Sequence, residues 1–123
     1  MIDHLSVGAT DLEQSVEFYR RMFEPLGFLL QHKTEVEASF GPRSERTFWL
    51  YAAESVLPIQ GMHIAFAAQT AADVDRAHVA AVNAGGSSAR EPGRRPEISD
   101  AYYGAIVLDP DGYRLELVAY VAG

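Results

Sequence analysis

Three residues of this chain have the types and the placement of a metal-binding set: His4, His63 and Glu116. The two histidines stand 59 residues apart, each in a short run that alternates apolar and polar side chains. Alternation of period two is the mark of a half-buried strand. Over residues 2–8, Leu5 and Val7 point one way while His4 and Ser6 point the other. Over residues 62–67, Met62, Ile64 and Phe66 share a face, and His63 and Ala65 take the opposite one. Glu116 lies between Leu115 and Leu117 near the end of the chain, so it faces away from the core that the leucines fill. Taken singly, each is an ordinary wet-face residue of an antiparallel strand. Together, two imidazoles and one carboxylate with open positions form a set used for non-haem iron, and equally for manganese, nickel or zinc.

The elements that must position these side chains come in two copies. Thr10-Asp11-Leu12-Glu13 reads as a Thr-x-x-Glu capping box. It opens a helix whose apolar stripe is Leu12, Val16, Tyr19, Phe23 and Leu26, closed by Pro25 and Gly27. Strands are expected over residues 28–32, 36–40 and 47–52. The second half begins again with residues 62–67, a cap at Thr70 and a stripe of Val74, Ala77, Ala81 and Ala84 that stops at Gly85-Gly86. Residues 90–100 are polar and read as a solvated loop, with Arg90, Arg94 and Arg95 as cations that a lid could offer to an anionic substrate. Strands over 103–108 and 114–121 follow, joined by the hairpin turn Asp109-Pro110-Asp111-Gly112. The unit is strand–helix–strand–strand–strand, used twice: an α+β fold of two tandem βαβββ modules forming a cupped sheet. One domain over residues 1–123 is expected, with module one about 1–54, a connector at 54–61 and module two about 61–123. His4 and His63 would then face a shared cleft, and Glu116 the same surface.

Composition narrows the partners. With 123 residues and 48% hydrophobic content, the chain can bury a core without staples. It has no cysteine, which removes disulfides, thiolate ligands and cysteine nucleophiles. A net charge of −7 argues against nucleic acid, whose recognition needs phosphate-neutralising Lys and Arg. No run is long enough to span a membrane and no signal peptide is visible, so a cytoplasmic location is expected.

Asp3-His4-Leu5-Ser6-Val7, Ser15-Val16-Glu17-Phe18-Tyr19-Arg20 and Leu26-Gly27-Phe28 resemble the opening of the vicinal oxygen chelate superfamily, the glyoxalase, bleomycin-resistance and extradiol-dioxygenase group. Gly61-Met62-His63-Ile64-Ala65-Phe66 is similar to its second-module strand. The run from Leu108 to Leu117, Leu-Asp-Pro-Asp-Gly-Tyr-Arg-Leu-Glu-Leu, resembles its closing hairpin. The resemblance implies a cup around one divalent metal held by His4, His63 and Glu116. It implies a small substrate that chelates the metal through adjacent oxygens, and a homodimer whose site is shared between chains. Glu116 is the candidate catalytic residue, as ligand and base.

The departures from the family's branches carry information as well. Trp49 stands where glyoxalase I carries a fourth ligand, a glutamate, and an indole is no metal ligand. Lactoylglutathione lyase activity is therefore disfavoured. Fosfomycin-resistance transferases carry a tyrosine where this chain has Ile106. Extradiol dioxygenases add a histidine and a tyrosine around the ligands. Tyr102 supplies a phenol of the right strand parity, but no histidine is evident. Trp49, Tyr51, Tyr102 and Ser6 are the candidate substrate-binding residues. His78 reads as a helix-edge residue and His32 as solvated near a turn. The rival function from the same resemblance is a metal-free, drug-sequestering protein of the bleomycin-resistance type, with Trp49 and Tyr51 as its aromatic wall.

Overall fold

The computed structural model describes residues 1–121. Module one runs β1 (Leu5–Ala9), α1 (Leu12–Phe23), a 3-10 turn (Glu24–Leu26), β2 (Leu29–Lys33), β3 (Glu37–Gly41) and β4 (Phe48–Ala52). Module two runs β5 (Ile64–Ala67), α2 (Ala71–Asn83), β6 (Ser87–Arg94), β7 (Tyr102–Leu108) and β8 (Arg114–Tyr120). Each module makes one four-stranded mixed sheet, ordered β1-β4-β3-β2 and β5-β8-β7-β6. In both sheets the first strand pairs in parallel with the last, and the other pairings are antiparallel. The repeated βαβββ order is the one expected from the sequence.

The helices carry the core. The α1 stripe of Leu12, Val16, Tyr19 and Phe23 is buried, with Phe18 and Met22 beside it. It packs on Phe40, Phe48 and Leu50 of its own sheet and against α2. Phe23 meets the rings of Phe28, Phe40, Phe48 and Phe66, the last at 4.8 Å, so a β5 side chain is drawn into the module-one cluster. Edge-on aromatic pairs of this kind add about 0.5–1.5 kcal/mol beyond their buried area. The 3-10 turn that follows α1 ends where Gly27 takes φ of 80°, a left-handed value that residues with a Cβ avoid. Gly86 serves a different purpose. A Cβ there would lie 2.6 Å from the Phe18 ring and 2.7 Å from the Leu108 carbonyl oxygen, so the close packing of α1 on the β7 end requires glycine.

Four local expectations need correction. The α1 cap is Asp11, whose carboxylate accepts from the Gln14 N–H at 3.1 Å. Thr10 is engaged elsewhere: its hydroxyl donates to Asp111 Oδ1 at 2.5 Å, across the modules. His4 and His63 stand one residue before β1 and β5, not inside strands that span the alternating runs 2–8 and 62–67. Part of the polar stretch assigned to a loop is β6, an edge strand paired to β7. It lacks apolar alternation because it is an edge and because bulges interrupt its register at two places. His78 is buried beneath that strand, 2.7 Å from the Ser88 hydroxyl, rather than at a helix edge.

The turn Asp109–Gly112 does more than reverse the chain. Asp109 is buried, and its Oδ1 accepts the backbone N–H groups of Asp111 and Tyr113 at 2.8 and 3.0 Å. Its Oδ2 accepts from the Tyr19 hydroxyl of α1 at 2.5 Å. Burial raises the Asp109 pKa above the ordinary carboxylate value, and these three donors oppose the rise. Tyr19→Phe removes the one donor that the other module supplies among the described residues and leaves Oδ2 buried and unpaired. The expected cost is about 1–3 kcal/mol of unfolding free energy in urea titration, with the fold retained. A loss indistinguishable from zero would show that water replaces the phenol.

Candidate functional site

In each sheet one face packs on the helices and the other is open. On the module-two sheet, Leu115 and Leu117 are fully buried and Glu116 takes the open face with its side chain 17% exposed. β5 pairs in parallel with β8, with Ala65 opposite Glu116. His63 lies two residues before Ala65 and so shares its face. Its Nε2 is 3.3 Å from Glu116 Oε1. The second carboxylate oxygen, Oε2, accepts from the Tyr102 hydroxyl at 2.7 Å. Tyr102 comes from β7, where it shares parity with Gly104 and Ile106, and a Cβ on Gly104 would press 3.0 Å from the Tyr102 ring. The neighbouring Tyr103 turns the other way and donates to Asp75 of α2.

Burial is the largest cause raising the Tyr102 pKa, followed by its hydrogen bond and charge interaction with Glu116; together they push it up to about 12. Tyr102 is therefore a proton donor in a hydrogen bond at neutral pH, not a base. It fixes one oxygen of Glu116 and leaves the other toward His63.

His4 stands on the open face of the module-one sheet. Its Nδ1 lies 2.8 Å from Asp3 Oδ1, and its side chain is 55% exposed. Among the described residues, no group of three or more His, Asp or Glu side chains is gathered to hold a metal ion. The chain thus brings His63, Glu116 and Tyr102 together and leaves His4 apart from them. The donor chemistry of His63 and Glu116 suits a divalent metal with nitrogen and oxygen ligands, and within one chain it is two-thirds of the anticipated set.

The module-one open face holds more than the sequence led one to expect. Ser6 and Trp49 are register partners, as are Gly8 and Tyr51, so Ser6, Trp49 and Tyr51 share it. The Trp49 and Tyr51 rings stack at 6.0 Å with planes 9° apart, and the indole N–H donates to the Arg46 carbonyl. Ser39 is opposite both Trp49 and His32. His32 is not a solvated turn residue: its Nε2 lies 2.8 Å from Glu37 Oε2, and its ring is 5.8 Å from Trp49. The β2 bulge before His32 sets that placement. The Ser39 hydroxyl is buried and lacks a partner among the described residues. Alternation over 36–40 would have put Glu37 and Ser39 on this face, but nothing in the sequence marks the bulge that turns His32 onto it.

A βαβββ module used twice, with a histidine before each first strand and a glutamate on the last, defines a paired-module scaffold with a metal-type donor pair. The chain belongs to the Glyoxalase/Bleomycin resistance protein/Dioxygenase superfamily, whose family model matches residues 1–117. It is similar to a glyoxalase/bleomycin resistance protein from Albidiferax ferrireducens T118, with a TM-score of 0.85 at 28% identity over 95% of this chain and 97% of that one. A glyoxalase/bleomycin resistance protein/dioxygenase family enzyme from Burkholderia phytofirmans PsJN shares the fold at a TM-score of 0.75, with 16% identity over 98% of each chain. The E144Q glyoxalase I mutant from Zea mays superposes with a TM-score of 0.72 at 26% identity, over 94% of this chain and 45% of that chain. No curated protein matches the chain.

The Tyr102 shift makes a prediction with a definite sign. A phenol whose folded pKa is raised from 10 to about 12 contributes stability while protonated. That contribution is complete below the unfolded value and is lost as pH rises through about 12. Between pH 10 and 12 the wild type should therefore lose unfolding free energy faster than Tyr102→Phe. Parallel curves from urea titrations at each pH would refute the Tyr102–Glu116 coupling.

Proposed function

We propose that this protein is a metal-dependent enzyme of its superfamily. In this reading His63 and Glu116 of one chain and His4 of a second hold one divalent ion, iron, manganese, nickel or zinc. The substrate is a small molecule that presents two adjacent oxygens to the open positions. The observation that carries the reading is the His63–Glu116 pair at 3.3 Å on an open sheet face, with Tyr102 occupying the carboxylate oxygen turned away from the histidine. When bound, the metal would act as a Lewis acid on those substrate oxygens.

The chain's own residues do the rest. Tyr102 holds Glu116 in one orientation, as an outer partner of a ligating carboxylate should. Glu116 is the candidate base as well as a ligand, its carboxylate lying beside His63 on the open face. Trp49 and Tyr51 supply a flat apolar wall. Trp49 at the fourth-ligand position disfavours the glyoxalase I reaction itself.

The same geometry supports a homodimer with shared sites. His4 and the His63–Glu116 pair are not gathered in one chain, and the connector at residues 54–61 contains Pro58 and forms no regular element. Exchange of identical elements is a low-cost route to a twofold dimer. Location in the cytoplasm remains part of this proposal; no helix among the described residues is long and apolar enough to cross a membrane.

A second reading rests on one observation. The Trp49–Tyr51 stack beside Glu37 would suit a planar, cationic ligand without any metal. Metal content after reconstitution separates the two: about one ion per site supports the enzyme, and none supports the binder. Within the first reading, His4→Ala and Glu116→Ala chains should each lose metal affinity with an unchanged far-ultraviolet spectrum. Mixed and allowed to exchange subunits, they should regain metal at about half of the heterodimer sites, because one site carries both defects and the other neither. Proven exchange without recovery would overturn the shared site.

A further inference from the structure

The open face of module two contains a pocket lined by Glu116, Tyr102, Ile106 and Gly104 from β7 and β8, by Arg90 of the edge strand β6 and by Arg95 just beyond its end. The arginines are there because of irregularities in the strand. Ser88 pairs with Val107, a core residue, and Arg90 pairs with Ile106 on the open face. Regular alternation would put Ala89 opposite Ile106 and turn Arg90 toward the core. The bulge at Ala89 shifts the parity by one and aims Arg90 across the sheet toward Tyr102 and Glu116. Bulges are used in this way to re-aim side chains beside binding sites.

A second irregularity, between Arg90 and Gly93, brings Gly93 opposite Gly104 on the same face. Arg95 folds back over that glycine: a Cβ on Gly93 would lie 3.1 Å from Arg95 Nη1. Its guanidinium is pinned by donating to the Arg94 carbonyl at 2.9 Å and the Glu91 carbonyl at 3.0 Å. Arg90 has neither a hydrogen bond nor an ion pair among the described residues, and Glu116 is already held by His63 and Tyr102.

We infer that Arg90 and Arg95 form an oxyanion subsite that receives a carboxylate of the substrate, next to the oxygens bound at His63 and Glu116. A planar guanidinium matches a carboxylate through two parallel N–H donors, and an arginine fixed beforehand loses less freedom on binding. The inference rests on the proposed site and deepens it: the substrate is a small carboxylic acid whose chelating oxygens lie a short distance from its carboxylate.

The test uses metal-free protein and malonate as the probe, followed through the arginine Nε–H resonances. Arg90 and Arg95 should shift saturably, with Arg46 and Arg76 unmoved. Arg90→Met, which removes an exposed side chain without partners, should fold normally and weaken malonate binding by about tenfold or more. Arg90→Lys, which keeps the charge without the fork, should fall between. Malonate affinity unchanged in Arg90→Met, or shifts spread over all arginines, would overturn the subsite. Inorganic phosphate that shifts Arg90 where malonate does not would overturn the carboxylate assignment. Repeating the titration in His63→Ala separates this inference from the metal reading: the subsite predicts that the arginine shifts persist there, even if no metal ever binds.

Discussion

A buried carboxylate can be tolerated only when its oxygens are supplied with donors, and Asp109 makes the whole architecture meet that demand. Two of its donors are backbone N–H groups of its own turn, which fixes the β7–β8 hairpin. The third is the Tyr19 hydroxyl, from the middle of the module-one helix. Thr10 adds two hydrogen bonds from the β1–α1 junction to Asp111 of the same turn. A change in the relative position of the modules by even an ångström would break this set and leave a charge buried without a partner. The rings of Phe23, Phe48 and Phe66 fill the space between, so hydrogen bonding and packing demand the same arrangement.

This arrangement spends the helical faces on the core and leaves both sheets with an open face. The consequence for chemistry is direct. Residues on adjacent strands of one sheet can be brought within hydrogen-bonding range, since parallel strands lie about 4.8 Å apart and long side chains reach diagonal neighbours. His63, Glu116 and Tyr102 satisfy that condition through β5, β8 and β7. His4 lies one residue before β1 of the other sheet, and no strand pairing joins the two sheets among the described residues. A site that needs all three ligands therefore needs a second open face brought to the first, the role that the proposed homodimer gives to a second copy of the chain.

Strand parity explains what was legible beforehand. Leucines on either side of Glu116, and Phe48 and Leu50 around Trp49, stated which way each side chain points, because burial of one face forces alternation. The α1 stripe and the hairpin turn were equally plain. What the sequence pattern does not display depends on departures from regularity. β6 is polar and bulged, so it carries no period to detect; His32 reaches the Trp49 face through another bulge; and His78 is buried by that undetected strand. The cap passed from Thr10 to Asp11 because Thr10 is taken by Asp111, a contact 101 residues away in sequence. Local pattern records what a residue prefers, and long-range partners decide when two preferences compete.

The chain as a whole carries −7, a sign that opposes an acidic substrate at long range. At physiological ionic strength, however, exposed charges are screened beyond about 8 Å. What an arriving carboxylate meets at the β6 edge is therefore set by the groups that line the pocket, not by the sum over the surface. There two guanidinium groups stand against one carboxylate, and that carboxylate is already hydrogen-bonded by Tyr102 and paired with His63. For the proposed carboxylate subsite, discrimination therefore rests on short-range contact with the planar arginines, and the net charge of the chain contributes little to it.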